Sequence, residues 1–283
     1  QYRLNMFKKS TAIDTSVLVG VRGFNLVFGY VTNGMMMGLV YGDLIGKVSG
    51  LILSWRMILK NRIKELFARV TLTQAGSAIR SYRVYPLVNL PTVWLDLLST
   101  QLPIYFLSTT FGLQAVGSLS LAIGMMDLPK RLLAFSLASL YYKKASDLYK
   151  ESPNSLPDFV SKMFYILLAL SVLPYAWVIV FGDSLFELIF GTAWKLSGTL
   201  AQYIAISSVF EILLVPASHI LFVLRKEKSL LVFQILQLVV KAGVLAVSWR
   251  LQLTIQDIIL ILSMVSMVVS CMQLGYILRL VRL

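Results

Sequence analysis

Apolar runs about 20 residues long, enough to cross a bilayer as one helix, recur along the whole chain of 283 residues. They lie at roughly 15–33, 36–58, 90–111, 114–142, 160–182, 197–223, 229–249 and 255–278. A bilayer interior offers a bare backbone no hydrogen-bond partners, so each run must satisfy its own amides as a helix. The expected fold is therefore all-α, a polytopic membrane protein with about eight transmembrane helices. Composition agrees: 58% of the residues are hydrophobic and only 14% charged, against about 25% charged in an ordinary soluble domain, and the mean hydropathy is +0.78.

The net charge of +13 would suit nucleic acid if it formed one patch. Instead much of the excess sits in short segments between apolar runs, where Lys and Arg orient helices toward the cytoplasm, so no nucleic-acid partner is expected. The segment after the second run holds Arg56, Lys60, Arg62, Lys64, Arg69, Arg80 and Arg83. Further clusters are Lys143, Lys144 and Lys150 after the fourth run, Arg225, Lys226 and Lys228 after the sixth, and Arg279 and Arg282 at the end. The intervening turns are poor in cations, with Lys195 beside Asp183 and Glu187, and Arg250 in the seventh. This alternation puts both termini in the cytoplasm, and an odd number of spans would break it. The five tryptophans, Trp55, Trp94, Trp177, Trp194 and Trp249, fall mostly near run ends, as in an aromatic belt.

Three segments follow from this pattern: a two-helix portion at 1–59, a basic cytoplasmic linker at 60–88 and a six-helix unit at 89–283. The linker stretch KNRIKELFARV is weakly amphipathic and reads either as a solvated loop or as a helix on the anionic inner leaflet. The chain opens at Gln1 with Arg3, Lys8 and Lys9 and no apolar signal region, the look of an internal start, so a fragment of a longer protein is expected.

Five cations interrupt the apolar runs: Arg22, Lys47, Lys130, Arg131 and Lys241. A charge at mid-bilayer costs about 2.5 to 3.5 kcal/mol on insertion scales, so such residues face a bundle interior or a wet cavity and often serve function. They are the candidate contacts for an anionic substrate. Asp96 and Glu211 are further intramembrane charges, and buried carboxylates of this kind can load a proton or hold a cation, which makes them candidate ion-coupling groups. Pairing of Glu211 with Lys241, and of Arg22 with Asp14 two helical turns earlier, is the alternative reading. Asp127 precedes Lys130 and Arg131 by three and four residues, so local pairing is possible, and Pro129 between them invites a kink. Gly34, Gly38, Gly42, Gly46 and Gly50 recur every fourth residue, a face on which another helix can approach closely.

Several chemistries are not supported. GDLIGKV lacks the spacing of a phosphate-binding loop. One cysteine, Cys271, and one histidine, His219, cannot build a disulfide or a His/Cys metal cluster, and His219 reads as a hydrogen-bonded helix residue more readily than as a proton relay. No hydrolase, zinc or kinase motif is present. No cofactor, metal or enzymatic activity is expected.

An ordered series of turns carries a resemblance. Pro86, Asn89 and Pro91 enter the third run, Gln101 and Pro103 lie within it, and Phe111-Gly112 turns to Val116-Gly117, Ser120-Leu121-Ala122 and Leu128-Pro129. Phe190, Gly191, Trp194 and Gly198, then Pro216 and Arg225-Lys226-Glu227-Lys228, follow in the same order. This series resembles the later helices of bacterial polysaccharide flippases, the O-antigen and capsule exporters of the multidrug/oligosaccharidyl-lipid/polysaccharide exporter superfamily. The resemblance implies two six-helix lobes that rock about a central cavity, of which this chain would supply the last two helices of the first and all of the second. It also implies a multi-pass protein of the bacterial inner membrane that moves an undecaprenyl-diphosphate-linked oligosaccharide between leaflets, with a polysaccharide polymerase and glycosyltransferases as functional partners. A diphosphate is charged and lipid rejects it, so fixed Lys and Arg in a wet cavity suit that cargo. A multidrug and toxin exporter would favour acids over the five mid-run bases; a peptidoglycan-precursor flippase differs only in its sugar; a non-transporting membrane scaffold is the reading from another class.

Overall fold

The computed structural model describes residues 19–31, 36–54, 77 and 85–282, and every regular element among them is helical. The chain divides into two compact units, residues 1–81 and 82–283. The predicted linker 60–88 falls almost wholly outside the described residues, as do Asp14, Trp55 and Gly34.

In the first unit, α1 spans Val19–Val31 and α2 spans Met36–Ser54. Gly42, Gly46 and Gly50 are buried while Leu44, Ile45, Val48 and Leu51 between them are exposed, so the four-residue glycine repeat is a packing seam. At Gly42 an added methyl would lie 2.8 Å from the Asn25 backbone, and at Gly46 one would lie 2.6 Å from that of Val21. In lipid, where no hydrophobic drive pushes helices together, such backbone approach supplies the dispersion contact that holds a pair.

Among its described residues the second unit contains seven α-helices. A π-helical turn, Tyr85–Asn89, leads into α3, Leu90–Thr110. Gly112 at φ 82 makes the turn into α4, Leu113–Pro129, which continues through a π-helical segment, Lys130–Phe135, into α5, Ser136–Glu151. A 3₁₀ turn, Pro153–Ser155, precedes α6, Leu156–Phe190; another, Thr192–Trp194, precedes α7, Lys195–Val223. The last two are α8, Glu227–Leu251, and α9, Ile255–Arg282. Four of these helical segments are long and apolar enough to cross a membrane: Pro153–Phe190, Thr192–Val223, Glu227–Leu251 and Ile255–Val281. Each covers a run expected from the sequence, and the expected 160–182 run extends to 35 residues as α6.

Helix α7 is the centre of this unit, packed by α6, α9, α4 and α5, whereas α3 pairs with α8. Its buried positions include Ser197, Gly198, Ala201, Ala205, Ser207 and Ser208, small residues that admit neighbours on all sides. The large apolar side chains point the other way: Leu173, Trp177 and Val180 on α6 and Val232, Val239 and Val247 on α8 are exposed. A surface this apolar needs a nonaqueous surround, and lipid is the surround that the helix lengths fit.

The basic clusters collect at one end. Tyr141 of α5, Leu156 and Val160 of α6, Ile220 and Leu221 of α7 and Ile277 of α9 form one apolar cluster, with Leu230 of α8 against it. Around it stand Lys143, Lys144, Lys150, Arg225, Lys226, Lys228 and Arg279, all exposed, with Lys228 in the first turn of α8. Lys195, Arg250, Asp183, Glu187 and Asp257 belong to the opposite helix ends, where Lys195 pairs with Glu187 at 3.5 Å. Trp194 and Trp249 are exposed at those same ends, as a belt requires, while Trp177 lies well inside α6 and packs on Phe181 at 5.4 Å.

Candidate functional site

Two glutamines and five charged side chains meet within the second unit, on helices that are otherwise apolar. Pro129 has no amide hydrogen to donate, so the α-helical ladder of α4 is interrupted there. The chain answers by widening into the π-helical segment Lys130–Phe135, a device that recurs at functional sites. At this change of winding Lys130 reaches two carboxylates at once. Its Nζ lies 2.7 Å from Asp127 Oδ1, one turn back, and 2.7 Å from Glu211 Oε2 on α7. The lysine side chain is 17% exposed and the two carboxylates 31% and 32%, so the three groups form a half-buried bridge.

Helix α8 brings a second set. Gln234, Gln237 and Lys241 recur at spacings of three and four, which puts them on one face. Gln234 Nε2 donates to Asp96 Oδ1 of α3 at 3.1 Å, and Gln237 Nε2 donates to Ser266 Oγ of α9 at 3.0 Å. Lys241 lies within electrostatic reach of both Glu211 and Asp96 and forms no direct ion pair among the described residues. The Lys241–Glu211 contact open from the sequence is thus replaced by Lys130–Glu211, with Lys241 standing behind it. Three carboxylates, Asp96, Asp127 and Glu211, face two lysines, a formal charge of −1 when all are ionised.

The other expected residues fall elsewhere. Arg131 is exposed, one residue beyond Lys130. It is not brought to Asp127, whose carboxylate takes Lys130. In the first unit Arg22 is exposed and Lys47, also exposed, pairs with Asp43 at 2.5 Å one helical turn away. That pairing was readable at a spacing of four residues, and the glutamine stripe of α8 was readable from its register with Lys241. His219 holds the Val215 carbonyl through Nδ1 at 2.8 Å and packs against Tyr142 and Phe222, the hydrogen-bonded helix residue anticipated. Among the described residues no group of three His, Cys, Asp or Glu side chains suits a metal ion.

A crevice between α5, α6, α7 and α9 is lined by Tyr141, Met163, Phe164, Leu213 and Leu274 among others. Its walls are apolar, and none of the charged residues reaches it. Chemically, the charged cluster can hold and exchange small cations or protons and offer ammonium groups to an anion; it has no activated nucleophile. Compared with family models, with curated proteins and with solved structures, the chain matches none of them.

Proposed function

We propose that the protein is a transporter of the inner membrane, with about eight spans in a two-lobe arrangement, that moves an undecaprenyl-diphosphate-linked oligosaccharide between leaflets by alternating access. The observation that carries this reading is the bridge of Lys130 to Asp127 and Glu211, with Asp96 and Lys241 in reach. Intramembrane charges gathered from four helices are costly unless a polar pathway uses them. Arg131 and Lys241 in the second unit, and separately Arg22 in the first, form no ion pair among the described residues, so each has a charge to offer a diphosphate. Lys47 and Lys130 would each have to leave a carboxylate first. Asp96 and Glu211 serve ion coupling.

A second reading, exchange of an organic cation for protons or sodium, is favoured by the surplus carboxylate of the cluster. One experiment separates the two. Arg22→Gln and Lys241→Gln are introduced at the chromosomal locus, and surface polysaccharide, lipid-linked precursor and drug susceptibility are measured at equal protein abundance. Loss of polysaccharide with accumulation of precursor supports the flippase. Intact polysaccharide in a strain lacking the gene, together with heightened sensitivity to cationic drugs, would replace it with the exporter.

A further inference from the structure

Tyr175 of α6 is completely buried, yet its hydroxyl needs a partner. It donates to the backbone carbonyl of Met126 at 2.9 Å. In an uninterrupted α-helix that carbonyl would accept the amide of Lys130, four residues on. In this structure the Lys130 amide donates instead to the Asp127 carbonyl, where α4 gives way to the π-helical segment. An unpaired carbonyl in a buried, lipid-surrounded site carries a large penalty, and the tyrosine of a neighbouring helix removes it.

We propose that Tyr175 is the positioning residue of the charged cluster: by taking the Met126 carbonyl it holds the wide turn that carries Lys130 onto Asp127 and Glu211. The importance of this for transport rests on the function proposed above, but the positioning itself does not. Three features agree on it independently. Pro129 lies at the junction and withholds an amide, the tyrosine meets the Met126 carbonyl that the Lys130 amide has left, and Lys130 bridges two carboxylates at the first residue of the wide turn. Met126 itself is buried in the same apolar core as Tyr175, which leaves little room for water to stand in for the hydroxyl.

The test uses Tyr175→Phe, which keeps the ring and removes only the hydroxyl. Purified protein in lipid nanodiscs is treated with a small membrane-permeant acylating reagent, and modification of each lysine is followed by mass spectrometry. Loss of one buried hydrogen bond should loosen the bridge by about tenfold, so acylation of Lys130 rises about tenfold while Lys143 and Lys144 at the exposed helix end are unchanged. Lys130 acylation equal to that of the unaltered protein, in a variant that retains its cooperative thermal transition, overturns the proposal. Should Tyr175→Phe not fold, 4-fluorophenylalanine incorporated at position 175 provides the second reading, because it fills the space of the hydroxyl without donating a hydrogen bond. Lys130 must become reactive there too, and an unreactive Lys130 also overturns the proposal. Surface polysaccharide in the same strains keeps the two claims apart: raised Lys130 reactivity with undiminished polysaccharide upholds the positioning and refutes a transport role for Lys130.

Discussion

Replacing Lys130 by methionine keeps the length of the side chain and removes its charge, which strands the carboxylates of Asp127 and Glu211. Breaking a fully buried ion pair costs about 3–5 kcal/mol, and an exposed pair contributes about 0–1 kcal/mol. Exposures of 17% for the lysine and 31% and 32% for its partners lie between those limits, so a loss of about 2 kcal/mol is expected. For a unit of this size each kcal/mol moves the melting temperature by about 2–4 °C, giving a fall of about 4–8 °C. Glu211→Gln leaves Lys130 with Asp127 and should cost about half as much. The double variant is the decisive sample, because neutralising Glu211 relieves one of the carboxylates that Lys130→Met strands. Its melting temperature, read by tryptophan fluorescence in one detergent, should lie no lower than that of Lys130→Met alone. A double variant that loses the sum of the two single losses would show that the residues do not interact, and the bridge would have to be abandoned.

Gly46→Val places branched carbons where even a methyl would sit 2.6 Å from Val21; a loss of about 1–3 kcal/mol in the pairing of α1 with α2 is expected, seen as faster hydrogen exchange in both helices, and unchanged exchange would dispose of the seam. Gln252 closes α8 in the left-handed conformation at φ 51, so Gln252→Gly should gain about 1 kcal/mol and raise the melting temperature by about 2–4 °C. Ser266→Ala removes the acceptor of Gln237 at a cost of about 0.6 kcal/mol, typical of interhelical bonds in membranes, whereas Ser263→Ala, for which no interhelical bond is formed among the described residues, should be nearly silent. For orientation, Cys271 is first changed to alanine; Lys195→Cys should then react with an impermeant thiol reagent from outside intact cells and Lys226→Cys should not, and the reverse pattern would invert the topology expected from the charge alternation.

How much of this was legible in the sequence depended on the range of the interaction. The helices themselves are local facts: apolar length places α3 at Leu90–Thr110 and α7 at Lys195–Val223, within a few residues of the runs expected, since in lipid the backbone has no other way to satisfy itself. The glycine repeat of α2 and the Asp127–Lys130 pair are likewise set by helical spacing. Partners across helices are different. Lys130 and Glu211 are separated by 81 residues, and Glu211 had two lysines available; which one it meets is decided by the packing of α4 on α7, while α8 turns toward α3. The proline was legible as an interruption, but not the π-helical winding that follows it, since Pro103, Pro174 and Pro216 lie inside helices that continue as α-helix. The donor to the Met126 carbonyl at this junction is Tyr175, 49 residues away on α6, in a stretch of sequence that otherwise reads only as apolar span. The charged cluster is therefore written locally in its charges and at long range in its geometry, and the uncharged residues Tyr175 and Gln234, invisible to a search for intramembrane charge, hold the turn that carries Lys130 and the carboxylate of Asp96.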